Sequence, residues 1–357
     1  MSGARADRLA ELVTARGLDA LIVSDPMNVR YLSGFTGTNG LCVVGAKIRT
    51  FLTDFRYVER AEREVEAFDR LRGKQDLFGD AAERLGETGA ERVGFEDHKL
   101  TVRANVRLRA ALPDSTELVP AGDLVEDLRA VKDRSELDAI RAAADAADGV
   151  FEYLRETGFG GRTEREVARD LEREMRARGT EPSFPPIVAA GANGSLPHAA
   201  PGDDVMGRGT LVVVDFGCLM DGYCSDCTRT FATGPLDDDA DAVYGLVHDA
   251  QAESRAAVMA GADCRSVDAV AREAIAAGGH GDEFGHGLGH GVGLEVHEAP
   301  RMGRTSDDVL QAGDVVSVEP GVYVPGRFGV RIEDLVVVTD DGIRNLSGTS
   351  KDLRVVD

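Results

Sequence analysis

The dipeptide Asp221-Gly222 lies between two strand-like runs, Leu211 to Met220 and Tyr223 to Phe231, a strong signal for a two-residue β-hairpin. That turn pairs Met220 with Tyr223, Gly217 with Asp226 and Asp215 with Thr228. Because side chains alternate along a strand, Asp215, Gly217, Asp226 and Thr228 share one face. Asp215 and Asp226 become diagonal neighbours with Cβ atoms about 7–8 Å apart. Two carboxylates so placed repel unless positive charge lies between them, and two-metal hydrolytic sites hold ions about 3.5–4 Å apart. The plain alternative is a pair of solvated aspartates on a half-exposed hairpin. Asp215 follows three valines at a core-facing position, which favours the metal.

Six of the seven histidines lie at or after His198, and four fall between His280 and His297. Glycine occupies every odd position from 285 to 293 around His286 and His290. Such a run is hostile to helix, and its H-x-x-x-H lacks the glutamate of a zincin helix. In an extended chain four residues span about 13 Å, so only one of His286 and His290 can bind a given metal. The alternating glycines leave one strand face bare, as where another backbone or a substrate comes close. A glycine-rich loop with solvated histidines is the alternative.

Two glutamates close the set. Asp314 to Val318 reads as a strand that delivers Glu319 just before a Pro320-Gly321 turn. Gly329 to Thr339 reads as one further strand, with Arg331 and Glu333 on the same side and Asp334 on the other. A glutamate in an apolar strand is costly unless paired or metal-bound; Arg331 neutralising Glu333 competes with a metal there.

The rest of the chain sets the frame. Its first 130 residues alternate helix- and strand-like segments, the pattern of an α/β unit. Leu9, Leu12 and Val13 begin a helix closed by Gly17; Ala20 to Val23, Leu41 to Val44 and Thr50 to Thr53 are strands; Glu59 to Leu71 reads as helix. No His/Asp/Glu cluster is evident there. A charged stretch from Val125 to Arg134 marks the hinge, giving domains 1–130 and 131–357. Beyond it lies a helix striped by Leu137, Ile140, Ala144, Ala147, Phe151 and Leu154 and ending near Gly158. A second starts with a Thr163/Glu166 capping box and stops at Gly179; two more span about 239–260 and 266–277. The charge of −22 disfavours a nucleic-acid partner, and with only five lysines among 41 basic residues it suits a salt-rich cytoplasm. An acidic N-terminus and the lack of a long apolar run point to a cytoplasmic chain without membrane partner. Five scattered cysteines argue for buried thiols rather than disulfides, and Cys224-x-x-Cys227 lacks a second pair for zinc.

Asp215, Asp226, His290, Glu319 and Glu333, in this order and in the contexts VDFG, SDCTRTF, HGLGHGVGLEVHE, VEPGVY and RIED, resemble the five metal ligands of the pita-bread metallopeptidases. The opening 130 residues, with DPMNVRYLSGFTG, resemble the creatinase-type N-terminal domain, and Ile187 to His198 resembles the segment whose histidine contacts substrate. Retained metal carboxylates distinguish the chain from creatinases and leave the Xaa-Pro peptidases (prolidases and aminopeptidase P). One departure is Pro185-Pro186, where relatives carry a polar pair.

The resemblance implies an α/β N-terminal domain followed by an α+β pita-bread catalytic domain. It also implies two divalent ions (Mn²⁺ or Co²⁺, with Fe²⁺ or Zn²⁺ as alternatives), a proline-containing peptide substrate and a homodimer. A bridging hydroxide would attack the carbonyl preceding proline. Asp215 would hold one ion bidentately, Asp226 and Glu333 would bridge, and His290 and Glu319 would complete the other. Glu319 would shuttle the proton; His198 and His297 would stabilise the oxyanion; His286, Tyr323 and Arg331 would orient ligands or line the pocket. The alternatives are a pita-bread amidohydrolase acting on a non-proline substrate and a non-catalytic protein-binding relative.

Overall fold

The computed structural model describes residues 2–356 and divides into two units, one ending at Arg129 and one starting at Ala130. The first comprises α1 (Ser2–Ala15), β1 (Ala20–Val23), α2 (Pro26–Ser33), β2 (Gly40–Gly45), β3 (Ile48–Thr53), α3 (Val58–Glu64), β4 (Asp69–Arg72), α4 (Leu77–Thr88), β5 (Arg92–Phe95), α5 (Val102–Ala111), β6 (Glu117–Pro120) and α6 (Leu124–Ala130). Its strands form one mixed sheet in the order β4-β3-β2-β1-β5-β6. Every residue of β1 is buried, as a strand covered on both faces requires. Asp25 caps α2 by accepting the Met27 and Asn28 N–H groups, and Pro26 fits a first helical position, where no N–H is needed.

The helix expected over Glu59 to Leu71 is corrected. α3 stops at Glu64, and Asp69–Arg72 is an edge strand parallel to β3. All four of its residues are exposed, so no apolar alternation announces it; backbone pairing to β3 and the Arg70 Nη1 bond to Val65 O at 2.6 Å hold it.

The second unit begins with α7 (Arg134–Thr157) and α8 (Glu164–Ala177), each opened by a capping box, Asp133/Glu136 and Thr163/Glu166. Then come β7 (Glu181–Pro182), β8 (Ile187–Ala190), β9 (Leu211–Phe216), β10 (Cys218–Met220), β11 (Tyr223–Cys224), β12 (Cys227–Ala232), α9 (Asp238–Ala257) and α10 (Cys264–Ala277). The chain closes with β13 (Gly289–Gly291), β14 (Glu298–Met302), β15 (Val315–Val318), β16 (Gly321–Val324), β17 (Phe328–Arg331), β18 (Asp334–Thr339) and β19 (Gly342–Asn345). The α7/α8 pair packs Ala147, Phe151, Val167 and Leu171 against Val212, Val214 and Phe216 of β9. The α9/α10 pair packs Val243, Val247, Ala271 and Ile275 against Val316 and Val318 of β15 and Val336 of β18. Phe151 is fully buried, its ring 4.3 Å from that of Phe216; truncating such a residue to alanine costs about 3–5 kcal/mol.

The hairpin register agrees with the turn chemistry: Met220 pairs with Tyr223 and Asp215 with Thr228. Asp221 and Gly222 both have positive φ, 50° and 83°, as a type I′ turn demands. The run from Gly329 to Thr339, however, is two strands. β17 pairs with β16, whereas β18 joins the sheet β14-β13-β15-β18-β19. Between them Glu333 donates its N–H to Thr228 O at 3.1 Å, and its carbonyl accepts from the buried Arg229 guanidinium. Contacts from β12 thus divert the backbone at Ile332-Glu333. All five cysteines are free and buried. Among the described residues no helix is long and apolar enough to cross a membrane.

Candidate active site

Five segments of the second unit deliver the predicted ligands to one place. Asp215 is the penultimate residue of β9, Asp226 precedes β12, His290 lies in β13, Glu319 follows β15, and Glu333 fills the break between β17 and β18. The glycines flanking His290 make this approach possible. A Cβ on Gly289 would stand 2.0 Å from Ser317 O, and one on Gly291 2.0 Å from Ala299 O, so neighbouring backbones occupy the bare face.

Asp215, Asp226 and Glu333 each offer an oxygen such that the three lie within 4.8 Å of one another. His290 Nε2 is 3.1 Å from Glu319 Oε1 and 3.8 Å from Asp226 Oδ2. His290 Nδ1 faces Gly291 O at 3.1 Å, which fixes the proton on Nδ1 and directs Nε2 to the carboxylates. Asp215 Oδ1, Asp226 Oδ1 and Glu333 Oε1 are buried without hydrogen-bond partners. Burial drives the carboxyls of Asp226 and Glu333 well above their ordinary range, and neighbouring carboxylates push both further up. Asp215 is raised too, burial outweighing the nearby Arg331 charge. Glu319 behaves oppositely: burial opposes its charge, yet the His290 hydrogen bond and charge hold it down at about 2. Orphaned, crowded, hard oxygen donors beside one imidazole fit divalent cations.

Around this cluster Arg331 makes four contacts. Its Nη2 donates to Asp215 Oδ2 at 2.6 Å, Nη1 to Tyr323 Oη at 2.6 Å and to Pro197 O at 3.2 Å, and Nε to Thr228 Oγ1 at 3.0 Å. The alternative of an Arg331–Glu333 ion pair is not met, because the guanidinium pairs with Asp215, leaving Oδ1 as that aspartate's unengaged oxygen. Tyr323 Oη also meets His286 Nε2 at 3.0 Å, while His286 Nδ1 faces Gly287 O at 2.7 Å. His286 thus accepts the Tyr323 proton, and its pKa is lowered by burial.

These groups floor a cleft of about 980 Å³ whose walls include His198, His297, Arg301, Phe184 and Pro186. Pro185 also lines it, so the departure noted in the sequence faces this cleft. His297 packs its ring 4.2 Å from that of His290; burial first and the neighbouring imidazole second lower its pKa. His198 is exposed at the cleft wall.

Sequence reading overlooked two hydroxyls. Ser317 Oγ donates to Glu319 Oε1 at 3.0 Å and accepts the His290 N–H at 3.1 Å; its i, i+2 spacing from Glu319 was the available signal. Thr228 Oγ1 donates to Glu333 Oε2 at 2.8 Å, and its place on the Asp226 face foreshadowed this. The statement that the N-terminal unit holds no cluster is also corrected. His98 lies between Asp123 (3.4 Å) and Glu126 (3.0 Å) on its surface.

Residues 138–340 match metallopeptidase family M24, and residues 5–131 match the Creatinase/Prolidase N-terminal domain. The chain belongs to metallopeptidase family M24. Its architecture is accordingly a creatinase-type N-terminal domain followed by the pita-bread domain. Similar solved structures include an Xaa-Pro dipeptidase from Bacillus anthracis (37% identity, 99% of both chains, TM-score 0.96). An X-Pro aminopeptidase from Thermotoga maritima is also similar (32% identity, 98% of this chain and 99% of that one, TM-score 0.89). A curated relative, the Xaa-Pro dipeptidase of Pyrococcus horikoshii, is 34% identical and matches 97% of each chain.

Proposed function

We propose that this M24 chain hydrolyses the bond preceding proline, in dipeptides or at peptide N-termini, with residues 131–357 as its catalytic domain and residues 1–130 as a creatinase-like N-terminal domain. The observation that carries the reading is the trio of buried carboxylates, each with an oxygen lacking a hydrogen-bond partner. Asp215, Asp226, His290, Glu319 and Glu333 would hold two divalent cations, and oxygen donors with a single imidazole suit Mn²⁺, Co²⁺ or Fe²⁺. Bound ions there neutralise the carboxylates, polarise a carbonyl and lower the pKa of a nearby water.

The chain's own groups supply the remainder. Glu319, whose Oε1 accepts from Ser317 Oγ, would carry the proton to the departing proline nitrogen. That nitrogen carries no hydrogen in the substrate amide, so no backbone acceptor is needed beside it. His198 and His297 at the cleft wall donate hydrogen bonds to the carbonyl oxygen as its charge grows. Tyr323 and His286 hold Arg331, and through it Asp215, in place.

Glu319→Ala tests the reading: it abolishes hydrolysis while the far-UV circular dichroism and thermal unfolding remain those of a folded protein. Retention of more than a few per cent of activity contradicts the role given to Glu319. The homodimer belongs to the same reading, and light scattering that finds only a 38.0 kDa species refutes it.

A further inference from the structure

Glu164, the first residue of α8, is 6% exposed. Its carboxylate has no cationic partner among the described residues. Instead Oε1 accepts the Ala190 N–H at 2.7 Å, and Oε2 accepts both the Gly202 N–H and Asn193 Nδ2 at 2.7 Å. In return, Arg165 donates its N–H to Gly202 O at 3.1 Å. A buried carboxylate is costly unless such charge-assisted bonds compensate it, and the N-terminus of α8 adds a favourable dipole.

The three donors lie at the two ends and in the interior of one segment, 190–202. That segment contains a 3₁₀ turn at Gly191–Ser195, then Pro197, His198 and Ala199, which line the cleft. The imidazole of His198 has no hydrogen-bond partner among the described residues, so its location follows from its backbone. Arg331 Nη1 holds the Pro197 carbonyl from the other side. The loop is therefore pinned at its ends by Glu164 and at its centre by the residue that also grips Asp215.

From this geometry we infer that Glu164 is a positioning residue for His198, fixing where that imidazole meets the substrate carbonyl; this rests on the peptidase reading above. Glutamine at 164 keeps the size and one oxygen, but its –NH₂ must face an N–H donor. At least one clamp contact is lost whichever way the amide turns.

The test uses the full chain loaded with Mn²⁺. In Glu164→Gln, amide exchange at Ala190 or Gly202, whichever then faces the –NH₂, accelerates about tenfold or more, the effect of losing about 1.4 kcal/mol of protection. The kcat for Ala-Pro falls by a similar factor, bound Mn²⁺ is unchanged, and adding the substitution to His198→Ala lowers kcat no further. Unchanged exchange, or an equal loss in both backgrounds, overturns the inference. Should Glu164→Gln fail to fold, Asn193→Ala removes one donor outside the helix and gives the same pattern with smaller amplitude; its absence also overturns the inference. If the wild-type protein cleaves no Xaa-Pro peptide, the peptidase reading falls on its own, while the exchange measurement still decides whether the clamp exists.

Discussion

Thr228 and Glu333, 105 positions apart in sequence, are joined by a 2.8 Å hydrogen bond from the threonine hydroxyl to Glu333 Oε2. The same hydroxyl accepts from Arg331 Nε, so one fully buried side chain sets both a candidate ligand and the arginine that grips Asp215. Thr228→Val preserves shape but leaves both partners short of a bond. The expected cost is about 1–3 kcal/mol of stability, with roughly tenfold weaker Mn²⁺ binding. Urea unfolding and calorimetric titration measure the two effects; a variant indistinguishable in both contradicts the assignment.

Metal binding is expected to release protons. Without cations, burial and mutual repulsion raise the pKa of Asp226 and Glu333 far above the usual carboxylate range, so an incoming ion must displace protons held there. Affinity for Mn²⁺ therefore strengthens as pH rises and weakens as it falls. Titrations in buffers of different ionisation enthalpy show this as a buffer-dependent heat. Metal at one hundred times its dissociation constant stabilises the fold by about 2.7 kcal/mol, visible as a higher unfolding temperature that chelator reverses.

Asp334 anchors a buried ion network with Arg229, Arg255 and Lys351. Asp334→Ala leaves the Arg229 guanidinium buried without its carboxylate, at a cost of about 3–5 kcal/mol. Because Arg229 also holds the Glu333 carbonyl, metal affinity falls as well. A stability change under about 1 kcal/mol in chemical denaturation, the range of an exposed pair, would contradict this account of the network.

Asp314 gives a pH dependence of known sign. Burial pushes its carboxyl from 3.8 up to about 6, so the folded state binds the proton more tightly than the unfolded chain. The group's contribution is most favourable below about pH 4, is lost between about pH 4 and pH 6, and is flat above, for a total of about 2–3 kcal/mol. Asp314→Asn keeps an oxygen for the Gln311 N–H, which Asp314 Oδ2 now accepts. Relative to wild type it is more stable near pH 8, and the advantage disappears near pH 4. Thermal unfolding at both values checks this; an advantage independent of pH contradicts it.

Asp215, Asp226, His290, Glu319 and Glu333 were legible as a set through their resemblance to the pita-bread ligands, while local patterns alone marked each motif and left His286 and His290 both open. An Asp-Gly turn sets register, alternate glycines admit a second backbone, and Pro-Gly ends a strand. What stayed hidden depends on partners distant in sequence. Gly329 to Thr339 reads as one strand because no glycine or proline interrupts it after Gly329, and the break at Glu333 is imposed by Arg229 and Thr228 from β12. β4 left no trace because its side chains all face solvent. Ser317, Thr228 and Glu164 are ordinary residue types whose importance lies in which atoms they meet.

The central claim is tested most directly by proline release from Ala-Pro, using protein stripped with chelator and then resupplied with Mn²⁺ or Co²⁺. The account predicts no release from the stripped protein and restored release with either ion. Parallel cleavage of Ala-Pro-Ala assigns the aminopeptidase type, and cleavage of the dipeptide alone the dipeptidase type. Folded, metal-loaded protein that cleaves neither peptide would contradict the claim.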